Sequence, residues 1–149
     1  MNTYTFDYDD HLPPREHWPF LVMPYVKNTG IYLCPLDREG RARFDREHPT
    51  TSGDPRLDAI VDKISDDPTW RSGHLETALH PSYTMNLYLG GMIGYKLPHD
   101  LPMLFEGTTV FGDRDVADYR HLGGLNVTFA DGHAALVPQA EFEGMSLRP

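Results

Sequence analysis

The stretch Leu125-Asn126-Val127-Thr128-Phe129-Ala130-Asp131-Gly132-His133-Ala134-Ala135-Leu136-Val137 decides the reading of this chain. Apolar and polar residues alternate up to Ala130, and an Asp-Gly pair separates them from a second apolar run. Asp-Gly between such segments is the strongest short-range signal for a β-hairpin, because a tight turn needs positive φ and glycine adopts it without strain. A two-residue loop sets Ala130 opposite His133, Phe129 opposite Ala134 and Val127 opposite Leu136. Leu125, Val127, Phe129, Ala134 and Leu136 then share one apolar face, which something must cover.

Working outward, Ser82–Leu89 also has period two. Tyr83, Met85, Leu87 and Leu89 alternate with Ser82, Thr84, Asn86 and Tyr88, as in a half-buried strand, and Gly90-Gly91 ends it. Pro102–Glu106 is a shorter strand, and Asp113–Tyr119 is an acidic loop. Upstream the period is helical: Trp18, Leu21, Val22, Tyr25 and Val26 recur at three- and four-residue spacing, with Pro24 as a kink and Asn28-Thr29-Gly30 as a cap. Between these regions lies a polar excursion, residues 37–80. It holds one amphipathic helix, about Pro55 to Ser65, capped by Asp54 and carrying Leu57, Ile60, Val61 and Ile64 on one face. Helices followed by strands predict an α+β fold, a small antiparallel sheet packed on N-terminal helical segments. The chain reads as a single domain over residues 1–149, with 37–80 as a variable insertion.

Composition narrows the function. In 149 residues there are 13 Lys+Arg against 22 Asp+Glu, a formal charge of -9, and no basic tract. Nucleic-acid binding and attraction to an anionic membrane surface are both disfavoured. No apolar run approaches the roughly 20 residues of a membrane-spanning helix. Cys34 is the one cysteine, so neither an internal disulfide framework nor a cysteine-based zinc finger can form. Neither a Gly-x-Ser-x-Gly elbow nor a phosphate loop occurs.

Two sets of residues invite a chemical reading. His121, Asp131 and His133 form a metal or acid–base set on paper, but the strand between His121 and Asp131 separates them by about 20 Å unless Leu122–Gly124 doubles back. The other reading is turn chemistry at Asp131-Gly132 and packing at His121. Asp113, Asp115 and Asp118 are spaced closely enough to hold Ca²⁺ with loop carbonyls. The alternative is a solvated acidic loop neutralised by Arg114 and Arg120.

His121, nine intervening residues and then Asp131-Gly132 resemble the H-X9-DG signature of a prepilin-like family. Within it, Asn126 belongs to the run Asn126-Val127-Thr128-Phe129-Ala130-Asp131-Gly132-His133. Three further segments resemble the same family in order: Asp7-Tyr8-Asp9 with Pro13-Pro14, Cys34-Pro35 with Asp37, and Ser82-Tyr83 with Asn86. The resemblance implies a type IV pilin-like fold. It also implies a structural, non-enzymatic pseudopilin-like subunit of a type II secretion or type IV pilus-like apparatus, working through contacts with other pseudopilin subunits or secretion components. It places the protein outside the cytoplasm, periplasmic or at the cell surface, with the parent protein anchored in the inner membrane by an apolar N-terminal helix.

This sequence begins near the end of that helix, so the chain as given is expected to be soluble. Part of the sheet face bearing Leu125, Val127, Phe129 and Leu136 then needs cover from Met1–Tyr8 and Trp18–Val26, or from self-association. No cofactor is required by the resemblance, although major pseudopilins carry Ca²⁺ in a late loop, which points to Asp113, Asp115 and Asp118. Family members often have a cysteine in the N-terminal helix, so Cys34 is a candidate for a disulfide to that helix; a buried small apolar role is the alternative. A different class of function, a metal-dependent hydrolase or binding module using His121, Asp131 and His133, stands beside this reading.

Overall fold

The computed structural model describes residues 2–15, 18–26, 32, 34–37 and 81–149. The helix expected at about Pro55 to Ser65 and the 38–80 part of the excursion lie outside them. Two short helices come first, α1 (Asn2–Asp7) and α2 (Trp18–Val26). The strands are β1 (Tyr83–Asn86), β2 (Pro102–Glu106), β3 (Phe111–Gly112), β4 (Gly124–Phe129) and β5 (Ala134–Pro138), and a short helix α3 (Gln139–Gly144) follows. They form one five-stranded sheet in the order β3-β1-β2-β4-β5. Pro24 sits inside α2 without ending it.

The sheet is mixed, not purely antiparallel as the sequence suggested. β1–β2, β2–β4 and β4–β5 are antiparallel, but β3 lies parallel to β1 on its far side. The chain leaving β2 loops back over Thr84, whose hydroxyl donates to Thr109 O at 2.6 Å, and Met85 N then donates to Val110 O at 2.9 Å. A strand of two residues carries no periodicity, which is why the alternation could not show it.

The hairpin exists, but one residue out of the expected register. Thr128 pairs with Ala134, Val127 with Ala135, Asn126 with Leu136 and Leu125 with Val137. The loop has three residues, closed by Gly132 N to Phe129 O and Phe129 N to His133 O, both 2.9 Å. Gly132 has φ 92, the left-handed residue of a bulged three-residue loop. A slip of one residue exchanges the two faces of a strand. Val137 therefore points into the core at 3% exposure, while Leu136 is 56% exposed and Ala134 also faces out.

Each face of the sheet carries its own apolar cluster. On one, Met85, Leu89, Leu97, Leu101 and Met103 pack against Tyr4, Leu12, Trp18, Val22 and Tyr32 of the N-terminal segments. Trp18 Nε1 donates to Val110 O at 2.7 Å, and the Tyr32 hydroxyl donates to Pro19 O at 3.0 Å. On the other, Phe105, Leu125, Val127, Phe129 and Val137 are roofed by Phe142 of α3 and by Leu147. The expectation that the Leu125–Val127–Phe129 face needs the N-terminal helices or a second copy is thus corrected. The chain's own C-terminal segment buries it, and α1 and α2 cover the opposite face.

That double cover also corrects the half-buried reading of Ser82–Leu89. Ser82, Thr84 and Asn86 are fully buried. Asn86 satisfies its amide by donating to Pro102 O and Leu147 O, each at 2.8 Å. Among the described residues no helix is long and apolar enough to cross a membrane.

Candidate functional site at Cys34, Glu106 and His121

Glu106 ends β2 next to β4, and its side chain is completely buried. An unpaired carboxylate there would cost several kcal/mol. It has partners: Asn126 donates to Oε2 from its backbone N at 2.7 Å and from Nδ2 at 3.3 Å, and His121 Nε2 donates to Oε1 at 2.8 Å. The Cys34 Sγ lies 3.2 Å from His121 Nε2 and within 4.8 Å of the same carboxylate.

His121 reaches Glu106 because the chain before β4 does double back. His121 and Gly124 exchange backbone hydrogen bonds of 3.0 and 2.9 Å across Leu122 and Gly123, whose φ values are 53 and 81. Two positive φ values make a type I′ turn, which suits Gly123 but strains Leu122. Leu122 is fully exposed and gains no packing there.

Cys34 is brought in by its neighbours. Asp37 N donates to Cys34 O at 2.9 Å, closing a turn, and the buried Asp37 carboxylate pairs with Arg120 Nη1 at 2.8 Å. Arg120, next to His121 in sequence, also donates to Asp118 Oδ2 at 2.5 Å. Burial works against the guanidinium charge, but the bond to Asp118 and the charge of Asp37 outweigh it and hold its pKa above the ordinary value.

The geometry does not describe an activated nucleophile. Cys34 and Glu106 both meet Nε2 of His121, whereas a nucleophilic dyad with an orienting acid uses opposite ring nitrogens. Burial, followed by the carboxylate of Glu106 close by, raises the Cys34 pKa, and a reactive thiol needs the reverse. What does converge is a set of metal-ligating atoms: the Cys34, Glu106 and His121 donors all lie within 4.8 Å of one another.

Among the described residues, no other trio of His, Cys, Asp or Glu gathers in this way. His121 is thus separated from Asp131 and His133, at the opposite end of β4. Asp131 accepts from His133 N at 3.0 Å and from His133 Nδ1 at 2.5 Å, within the loop. Asp113, Asp115 and Asp118 do not converge either. Asp113 caps the 3₁₀ turn Arg114–Val116 by accepting from Asp115 N at 3.2 Å, and Asp118 faces Arg120. Gly132 and Asn126 act in the turn and on Glu106. Sequence reasoning missed Glu106 altogether, and the one signal was an acid closing the apolar run Met103-Leu104-Phe105.

Comparison with known proteins finds no matching family model and no match among curated proteins or solved structures.

Proposed function

We propose that this chain is the globular part of a structural, non-enzymatic subunit similar to the pseudopilins, serving a type II secretion or type IV pilus-like apparatus outside the cytoplasm. Its partners are other pseudopilin subunits or secretion components. The observation that supports this best is what the residues of the resemblance do. Asp37 pairs with Arg120 at 2.8 Å, Cys34 and His121 meet at Glu106, Ser82 N donates to Tyr32 O at 2.7 Å, and Asn86 ties β2 to the C-terminal segment. Each fastens segments distant in sequence, which is what a subunit under assembly forces requires of its motif. The apolar packing of α1 and α2 on a sheet face fits a fold whose N-terminal helix continues into a filament.

The test is localisation of the intact gene product in its own cells, followed by cross-linking. Protease access to the globular part only from the extracytoplasmic side, with cross-links to other pilin-like subunits, is expected. A product confined to the cytoplasm would overturn the reading. The metal-hydrolase alternative built on His121, Asp131 and His133 has no geometric support, because His121 does not join the Asp131–His133 pair.

A further inference from the structure

We infer that Cys34, Glu106 and His121 form a binding site for a zinc-like divalent cation. Three unlike ligands, from the N-terminal segment, from the end of β2 and from the turn before β4, bring their donor atoms within 4.8 Å of one another. The ligand types choose the ion. A thiolate and an imidazole suit zinc and its borderline neighbours, while Ca²⁺ and Mg²⁺ want oxygen throughout.

The spacing fits. Bonds of about 2.3 Å to sulfur and about 2.0–2.1 Å to nitrogen and oxygen place tetrahedral ligand atoms roughly 3.3–3.6 Å apart. The observed Sγ–Nε2 and Nε2–Oε1 separations, 3.2 and 2.8 Å, need widen by roughly 0.4–0.6 Å, and all three donor atoms lie within 4.8 Å of one another. The local charge also favours a cation. Asp37 and Asp118 pair with Arg120 and Glu106 pairs with His121, three carboxylates to one fixed positive charge, and two of the three are almost completely buried. Glu106 closes the site on the inside, and His121, with 24% of its side chain exposed, leaves it open toward solvent. Three protein ligands with solvent access leave a fourth position for water or a further ligand.

Binding replaces the hydrogen bonds now holding the trio together. The Cys34 thiol gives its proton to solvent and binds as thiolate, His121 binds through Nε2 with its proton on Nδ1, and Glu106 binds through Oε1. Asn126 keeps its two bonds to Oε2 and orients the carboxylate from behind, as outer partners of metal ligands do. Because a thiol proton must leave, affinity rises with pH.

The experiment titrates the whole chain, reduced and freed of metal by a chelator, with Zn²⁺ alone and then with Co²⁺ as a spectroscopic probe. One ion per chain is expected, with a thiolate-to-cobalt charge-transfer band, visible bands of tetrahedral intensity and a raised melting temperature. Cys34→Ser removes the charge-transfer band, and Cys34→Ser or His121→Gln weakens Zn²⁺ binding by at least about tenfold, the scale of losing a metal contact. The double variant Asp131→Asn/His133→Gln, at the far end of β4, binds as the parent does. Failure of the unaltered chain to bind Zn²⁺ overturns the proposal, and so does a cobalt spectrum without the thiolate band. Both readouts come from the parent chain, so the proposal stands or falls whether or not any variant folds.

Discussion

Replacing Val137 and Leu136 by alanine, one at a time, discriminates between the two registers of the hairpin. With a three-residue loop, Val137 is 3% exposed and packs with Leu125, Val127 and Phe142, while Leu136 is 56% exposed on the outer face. Val137→Ala removes two buried carbons, about 1.6 kcal/mol at about 0.8 per methylene, and the cavity left behind brings the total to about 2–3 kcal/mol. Leu136→Ala costs roughly 0.5 kcal/mol or less, the scale of an ordinary surface change. Both variants lose some strand preference, so that contribution largely cancels in the comparison. At about 2–4 °C per kcal/mol for a domain of this size, Val137→Ala should melt roughly 4–12 °C below the parent and Leu136→Ala within about 2 °C. Urea unfolding followed by circular dichroism measures both against the same parent. Equal losses, or a larger loss at Leu136, would show the two-residue loop to be right and the register described above to be wrong.

Leu122→Gly should stabilise the protein by up to about 1 kcal/mol, because glycine relieves a left-handed residue that has no packing to lose; a lower melting temperature would contradict the strain. At alkaline pH, stability should fall. Burial raises the pKa of the Cys34 thiol above 9.0, pushes Tyr25 up to about 12 and carries Tyr32 higher still, so the folded chain keeps protons that the unfolded chain releases. These contributions are intact below the unfolded values and are lost as pH rises through the folded ones; a urea midpoint unchanged between about pH 8 and about pH 11 would refute this. In acid the sign reverses at Asp131, whose pKa is lowered first by the backbone N–H of His133 and then by its side chain. Its contribution is present above the ordinary carboxylate value and lost as pH falls through the lowered one. Asp131→Asn should therefore flatten the acid limb of the stability curve, and an unchanged limb would exclude that role.

How much was legible depended on the length of the pattern. Gly124–Phe129 and Pro102–Glu106 emerged as strands because alternation or apolarity ran for five or six residues. The hairpin was legible too, yet its register was not. Asp-Gly serves a two-residue loop and a bulged three-residue loop equally, and what distinguishes them is that Asp131 does not take the positive φ a two-residue I′ turn would demand of it. The cover of the Leu125–Val127–Phe129 face was misassigned because Phe142 and Leu147 stand as isolated apolar residues in a polar tail, with no period to mark them. The site was legible in fragments. His121, Asn126 and Cys34 stood out through the resemblance, but the residue that joins them is an acid at a strand end, a position where sequence alone suggests solvent.

Glu106 explains why those fragments belong together. A carboxylate at zero exposure is tolerated only where its lone pairs are filled; His121 and Asn126 fill them, and Cys34 packs beside it against His121 Nε2. None is local to Glu106, so satisfying one buried charge fixes how the N-terminal segment, β2 and the turn before β4 sit against each other. The strain at Leu122 follows from the same demand. A turn relaxed at that residue would aim His121 elsewhere and leave Oε1 without its 2.8 Å donor. A buried donor or acceptor left unpaired costs about 1–3 kcal/mol and more when charged, against about 1–2 kcal/mol for one left-handed residue, so the strained turn is the cheaper arrangement. The same arithmetic lets a cation enter: it would replace the contacts of His121 with Cys34 and Glu106 while keeping all three segments fastened at the same point.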